Sequence, residues 1–210
     1  MHFDPTELEF ANLYKLMTAT LVPRPIAWVV TQNEDGAANA APFSYFNAFS
    51  GAPPVLAVGI TPHPDREKDT YANIERSAEF VINLVPESLV EAMVTTAITF
   101  PADVNELQAA GLQTLPSERI SPPRIAGSPV AFECRLQQIV DLDSPYRMVI
   151  GDVVGIHVAD EAILNVQRCH IDTQALSLVG RLRSPGGYTR MTDQFEMPLR
   201  SHAQWLDAQA

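Results

Sequence analysis

Short apolar runs separated by polar breaks dominate the first half of the chain. Ile26–Thr31, Val55–Ile60 and Phe80–Val85 are rich in β-branched and aromatic side chains and have the length of buried strands. Asn33-Glu34-Asp35-Gly36 follows the first run with hairpin-turn chemistry, because Gly36 tolerates a positive φ, and this predicts Ala37–Phe43 as the returning strand. From Pro129 onward the period becomes two. Phe132, Cys134 and Leu136 alternate with Glu133, Arg135 and Gln137, a half-buried strand with the latter three on its polar face. Arg147–Val158 reads as a longer strand in which Gly151 and Gly155 mark bulges or close backbone approach.

Helical spacing predicts helices over Thr6–Thr18, over Asp69–Ser77 with Asp69 or Thr70 as N-cap, and over Pro86–Thr96. A further one spans Asp103–Ala110, closed by Gly111, and residues 114–129 form a Pro/Ser-rich connection. Paired strands around short helices do not give the βαβ alternation of a doubly wound sheet. The pattern predicts a mainly β fold, an antiparallel barrel with peripheral helices, as a single domain over residues 1–210. Seventeen prolines, spread along the chain, punctuate it as strand ends and shaped loops.

Charge narrows the partners. The formal net charge is −11 and only two lysines occur, Lys15 and Lys68. Nucleic acid and anionic lipid both require a basic patch, so neither is expected. No apolar run approaches the ~18 residues that span a bilayer. Met1–Pro5 lacks the basic flank and apolar core of a secretion signal. Cys134 and Cys169 give no disulfide framework, so a reduced, cytoplasmic setting is expected.

Several chemistries lack sequence support. There is no G-x-G-x-x-G, no phosphate-binding G-x-x-x-x-G-K-[ST], no G-x-S-x-G and no H-E-x-x-H. His157 and Glu161 are four apart at a strand end, where that spacing shares no face. Cys169-His170 has no second cluster to complete a metal site, and reads as a buried cysteine beside a surface histidine. No metal is expected.

Three segments carry candidate chemistry. Asn39–Ser50 interleaves aromatic, hydroxyl and amide groups; it is either a strand running into a loop with Ser44 and Asn47 as turn residues, or a surface for a flat, polar-edged ligand. Thr61–Thr70 sets Arg66 and Lys68 before a helix N-terminus, where free N–H groups and the helix dipole would favour a phosphate. Its acids, Asp65, Glu67 and Asp69, equally suit a solvated loop. Gly180–Arg190 clusters three arginines, a glycine pair and Tyr188, as a lid, an anion-contacting tail or a surface loop. Together the three describe a planar ring, a polar linker and a phosphate.

Pro23-Arg24-Pro25-Ile26-Ala27, Asp35-Gly36, Asn39, Ala41 through Asn47, Pro53-Pro54 and Lys68-Asp69-Thr70 resemble the flavin reductase-like, FMN-binding split-barrel family. Ile150–Val154 and Arg181–Tyr188 resemble its C-terminal strand and loop, so the likeness covers about residues 20–190. The resemblance implies a six-stranded antiparallel split β-barrel and a homodimer with FMN near the subunit interface. It implies an NAD(P)H:flavin reductase or the reductase component of a two-component monooxygenase, with hydride passing from nicotinamide to flavin N5. FAD is the alternative cofactor, and an electron carrier or flavin store not reduced by NAD(P)H is the alternative function. By the same resemblance Ser44, Tyr45, Phe46 and Asn47 would line the ring and ribityl chain, and Arg66, Lys68, Asp69 and Thr70 would hold the phosphate. Arg181 and Tyr188 would contact the cofactor. Arg24 is a candidate for stabilising the charge that the reduced ring gains; His157 is either a donor to the flavin or a substrate or, as the preferred reading, a packed and hydrogen-bonded strand histidine.

Overall fold

The computed structural model describes residues 1–61, 67–100, 104–142, 144–207 and 209. Its centre is one antiparallel sheet of β1 (Ala27–Gln32), β2 (Ala38–Phe43), β3 (Phe46–Gly51), β4 (Pro54–Ile60), β5 (Glu79–Asn83), β6 (Val130–Asp141) and β7 (Arg147–Val158). The strand order is β2-β1-β5-β6-β7-β4-β3. A small ribbon, β8 (Val179–Arg181) with β9 (Tyr188–Arg190), is tied to the start of β1 by paired backbone bonds between Arg24 and Arg181. The described helices include α1 (Phe10–Thr20), α2 (Asp69–Ser77), α3 (Val90–Thr95), α4 (Glu106–Ala109) and α5 (His202–Asp207).

The sheet has seven strands, where the resemblance implied six. The additional one is β3, in a segment read from sequence as a loop. Its residues beyond Phe46 are exposed, so it carries no buried face to announce it; pairing with β4 alone defines it. Strands β2 and β3 lie at opposite edges of the order yet only Ser44 and Tyr45 separate them. Three Cα–Cα steps reach at most ~11 Å, so the sheet must curl to bring its edges together.

Strand β1 is buried on both faces. Ala27 and Val29 join a core with Leu56, Val58, Ile82 and Val149 that Tyr71 and Ile74 of α2 close from one end. Trp28 and Val30 join a second core under Met93 of α3 and Leu107 of α4. That double burial explains the unbroken apolar run, which a half-exposed strand would not need. The hairpin forms as read: Gly36 has φ +78°, and the Asn33 side chain accepts from the amides of Asp35 and Ala37.

Other boundaries move. The first helix begins at Phe10 after a separate turn at Pro5–Glu7, and Pro86–Thr96 divides into a turn at Glu87–Leu89 followed by α3. Lys68, not Asp69 or Thr70, is the N-cap of α2. Cys169 is exposed, not buried, because it occupies a tight turn at φ +51°; the buried cysteine is Cys134. The expected start of the fourth helix, Asp103, lies outside the described residues. No helix among them is long and apolar enough to cross a membrane.

Both glycines of β7 answer to packing. A Cβ on Gly155 would come 3.2 Å from the Glu133 carboxyl, beside a register shift between Glu133 and Cys134. A Cβ on Gly151 would come 2.5 Å from the Phe80 ring, which is 1 % exposed and has nowhere to retreat. Gly151→Ala should therefore destabilise by about 1–3 kcal/mol, as overpacked cores do. Gly51→Ala, which meets nothing within 4 Å, should change the midpoint of urea unfolding far less.

Candidate active site: a polar groove beside an apolar cleft

The curl around Ser44 and Tyr45 leaves hollows on either side of the bend. On one side runs a groove of two adjoining parts, about 260 and 160 Å³, that share Pro42, Lys68 and Ala97. The wider part is bounded by Pro42–Tyr45, Met93, Arg181 and Tyr188, the narrower by Asn39, the start of α2 and Glu106. On the other side lies a cleft of about 750 Å³ between α1, the Leu21–Pro25 link and the β6–β7 turn. Groove and cleft have Tyr14, Ser44, Tyr45 and Gly59 in common.

Each wall of the groove has a local cause. Gly59 donates its N–H to the Tyr45 carbonyl at 2.7 Å, and a Cβ there would come 3.0 Å from the Tyr45 Cβ, so a bare backbone lets the bend lie against β4. Trp28 Nε1 donates to Thr96 Oγ1 at 2.9 Å, and that hydroxyl donates to the Met93 carbonyl at 2.8 Å. The buried indole thus fastens the end of α3, which sets Met93 and Ala97 over the groove. Arg181 stacks on Tyr188 with its guanidinium carbon 4.6 Å from the ring centroid and donates to the Pro185 carbonyl at 2.8 Å.

The narrow end is polar. Asn39 is clamped by three groups: its Nδ2 donates to Glu106 at 3.0 Å, while its Oδ1 accepts from Thr70 Oγ1 at 3.1 Å and Thr31 Oγ1 at 3.5 Å. Lys68 stands at the head of α2 with Nζ 5.9 Å from the centre of the Phe43 ring. A lysine offers no acceptor to the first-turn amides, so the positive end of the helix faces the groove uncapped by its own N-cap side chain. Glu67 is turned to Arg147, which contacts it at 2.7 and 3.0 Å. A flat heterocycle with an anionic tail suits this arrangement: apolar and aromatic walls at one end, a cation and helix amides at the other.

A family model described as a flavin reductase like domain matches residues 18–173. The chain belongs to that family. A Deinococcus radiodurans protein of uncharacterised function is 41% identical, covering 98% of this chain and 92% of its own. Nitrilotriacetate monooxygenase component B from Bacillus cereus has a similar structure, with TM-score 0.86 and 32% identity over 94% of this chain and 98% of that one. The 2-nitrobenzoate 2-nitroreductase of Pseudomonas fluorescens reaches TM-score 0.88 and 33% identity over 96% of this chain and 98% of that one.

Within this flavin reductase-like domain the sequence-read residues fall into separate places. Ser44 and Tyr45 border both hollows; Lys68, Asp69, Thr70, Arg181 and Tyr188 line the groove. Phe46 and Asn47 line the cleft. Arg66 lies outside the described residues. Asn39, which belongs to the segment that carries the family resemblance, lines the groove as well; Met93, Ala97 and Glu106 also line it, and nothing in their sequence context beyond helix spacing singles them out.

Arg24 lines the cleft and is buried. Its Nη1 donates to the carbonyls of Thr18 and Leu21 at 2.7 and 2.6 Å, its Nη2 to Leu182 at 2.8 Å, and its Nε to Ser44 Oγ at 3.3 Å. One side chain thereby ties α1, the β8–β9 loop and the bend together. Burial pulls its guanidinium below the ordinary arginine value. Burial likewise raises the Tyr45 phenol.

His157 borders neither hollow. Its Nε2 lies 2.5 Å from Glu133 Oε1, and Glu133, expected on the polar face of β6, is fully buried. The bulge beside Gly155 makes room for that carboxylate, which accepts from the amides of Glu118 at 2.8 Å and Arg119 at 2.7 Å. Burial alone would raise the Glu133 carboxyl, but these amides and His157 outweigh it and hold it below the ordinary glutamate value. A depressed folded-state value gives stability that is present above the unfolded value, ~4.3, and is lost as pH falls through the folded one. Wild type should therefore lose stability on acidification below about pH 4.3, while Glu133→Gln should show a flatter acid limb in urea unfolding across the same range.

Proposed function

We propose that the protein is an FMN-dependent oxidoreductase taking hydride from NADH or NADPH, as a flavin reductase or as the reductase component of a two-component monooxygenase. Lys68 carries this reading: one of only two lysines in an acidic chain stands at the head of α2 and borders both parts of the groove. When bound, FMN would supply the hydride-accepting ring atom and pass the electrons onward.

The chain's own residues bind, orient and exclude water. Lys68 and the first-turn amides of α2 would meet the phosphate. Thr70 gives its hydroxyl proton to Asn39, so it offers the anion its backbone N–H. The Pro42–Tyr45 segment would flank the ring, with Met93 and Ala97 keeping that end dry and Arg181 on Tyr188 closing it. Hydride transfer needs no side-chain acid or base. In keeping with that, the described residues around the wider part include no Asp, Glu or His.

Two proteins of similar structure are a monooxygenase component and a nitroreductase, so a separate oxygenase partner is one of the outlets for the electrons. A homodimer is part of the reading. Phe195, Met197 and Leu199 leave the body on an extended C-terminal segment, 77–99 % exposed, and a second copy would cover them. A reducing cytoplasm suits the two unpaired cysteines.

At FMN about 100-fold above its Kd, wild type should gain about 2.7 kcal/mol, or about 5–10 °C in Tm for a domain of this size. Lys68→Ala combined with Thr70→Ala should lose most of that shift. Anaerobic NADH or NADPH should bleach the flavin absorbance of the complex within seconds. A flavin that stays oxidised for minutes with both nucleotides makes the protein a carrier instead, and no FMN shift at all removes both readings.

A further inference from the structure

The larger cleft has an electrostatic character opposite to that of the whole molecule. The chain carries −11, yet Arg24 is the only formally charged residue among the described ones lining the cleft. Arg24 is 8 % exposed, and its four partners are three carbonyls and one hydroxyl. Among the described residues no carboxylate forms an ion pair with it. Carbonyl dipoles hold a guanidinium in place, but they do not cancel its charge, and a buried cation without a counter-ion favours an arriving anion.

The remaining polar groups point to the same chemistry. Arg24 makes four N–H bonds of a possible five. Ser44 Oγ accepts from Arg24, and its own proton has no acceptor among the described residues. Asn47 uses its Oδ1 to accept from the Ala48 amide, which leaves its NH₂ to donate. What Arg24, Ser44 and Asn47 leave unused are therefore hydrogen-bond donors, the complement of an acceptor-only group.

Apolar surface supplies the rest. Tyr14, Met17, Phe49 and Tyr146 come from three separate elements, and Tyr45 and Tyr146 already meet edge to face at 5.9 Å between centroids. Helix α1 contributes Phe10, Leu13, Tyr14 and Met17, a stripe at helical spacing that turns to this cleft; the one buried residue of α1 is Thr18. A volume of about 750 Å³ lies in the range of small-molecule sites.

We propose that the cleft is a binding site for an aromatic carboxylate, its ring against the tyrosines and its carboxylate toward Arg24, Ser44 and Asn47. Such a ligand would lie across the shared Ser44–Tyr45 wall from the groove. The assignment stands on the cleft alone and holds whether or not a flavin occupies the groove.

Calorimetric titration of the full chain with 2-naphthoate, 2-naphthamide and 2-naphthylmethylammonium tests it. The carboxylate should bind at least about tenfold more tightly than the neutral amide, with the cation weakest, as a fixed positive charge demands. Met17→Trp fills the cleft from α1 without touching the groove. It should weaken naphthoate binding by about tenfold or more, while FMN uptake by the same variant stays at the wild-type level. Equal affinity for carboxylate and amide overturns the assignment. So does the absence of binding by all three, including the case in which sedimentation shows a second copy seated over the cleft. Loss of FMN uptake in wild type with naphthoate binding intact would count against the flavin reading alone.

Discussion

Phe43 ends one strand and Phe46 begins another, and these strands sit at opposite edges of the seven-strand order with Ser44 and Tyr45 as their whole connection. Geometry then leaves the sheet no freedom to lie open. Closing it brings α1, the bend and β4 together on one side and α2, α3 and the β8–β9 ribbon on the other. The backbone bond from Gly59 to Tyr45 and the reach of Arg24 to Ser44 hold that bend at its two ends. Both hollows are by-products of this one constraint, and both include Ser44 and Tyr45 in their walls.

Around that bend, polar side chains do the positioning that apolar packing cannot. Core contacts are non-directional, so they fix distance but not orientation. The Trp28–Thr96–Met93 chain orients α3, and the Asn39 clamp orients the start of α2 against β2 and α4. Asn83 does the same for the layer beneath, donating to the Trp28 carbonyl at 3.1 Å and accepting from the Ile125 amide at 3.0 Å. Every buried side-chain nitrogen and oxygen among the described residues has a partner. Such satisfied networks favour one arrangement over its near neighbours.

Much of the fold was legible because burial leaves a composition behind. Strand β1 shows as an apolar run, since both of its faces are covered, and the Asn33–Gly36 turn shows through its glycine. Strand β3 was not legible, because its side chains are mostly exposed and only backbone pairing makes it a strand. Alternation places Glu133 on the right face but not at the right depth: Phe132, Cys134 and Leu136 pack into one core together, and the opposite face at Glu133 is covered by the amides of Glu118 and Arg119, fifteen and fourteen residues earlier in the chain, which receive the carboxylate. In the candidate site, Lys68, Thr70, Ser44 and Tyr45 were visible as an unusual mixture of residue types. The division of the Ser44–Asn47 run between two hollows was not, since it follows from the curl of the sheet. The extent of Arg24's bonding was equally hidden, because its partners are backbone carbonyls, which every residue has.

That backbone-only coordination has a further consequence for how the molecule responds to its surroundings. Many buried charges in proteins can be switched off: a carboxylate partner takes up a proton, or a histidine gives one away, and the local potential changes sign or vanishes. Three peptide carbonyls and a serine hydroxyl have no such transition in the range where proteins fold, and a guanidinium keeps its proton even when burial weakens its hold. The positive potential beneath the bend is therefore a constant of the fold, set by main-chain geometry and removed only by unfolding. Whatever acidity-dependence the neighbouring chemistry displays must originate in groups other than Arg24 and its partners.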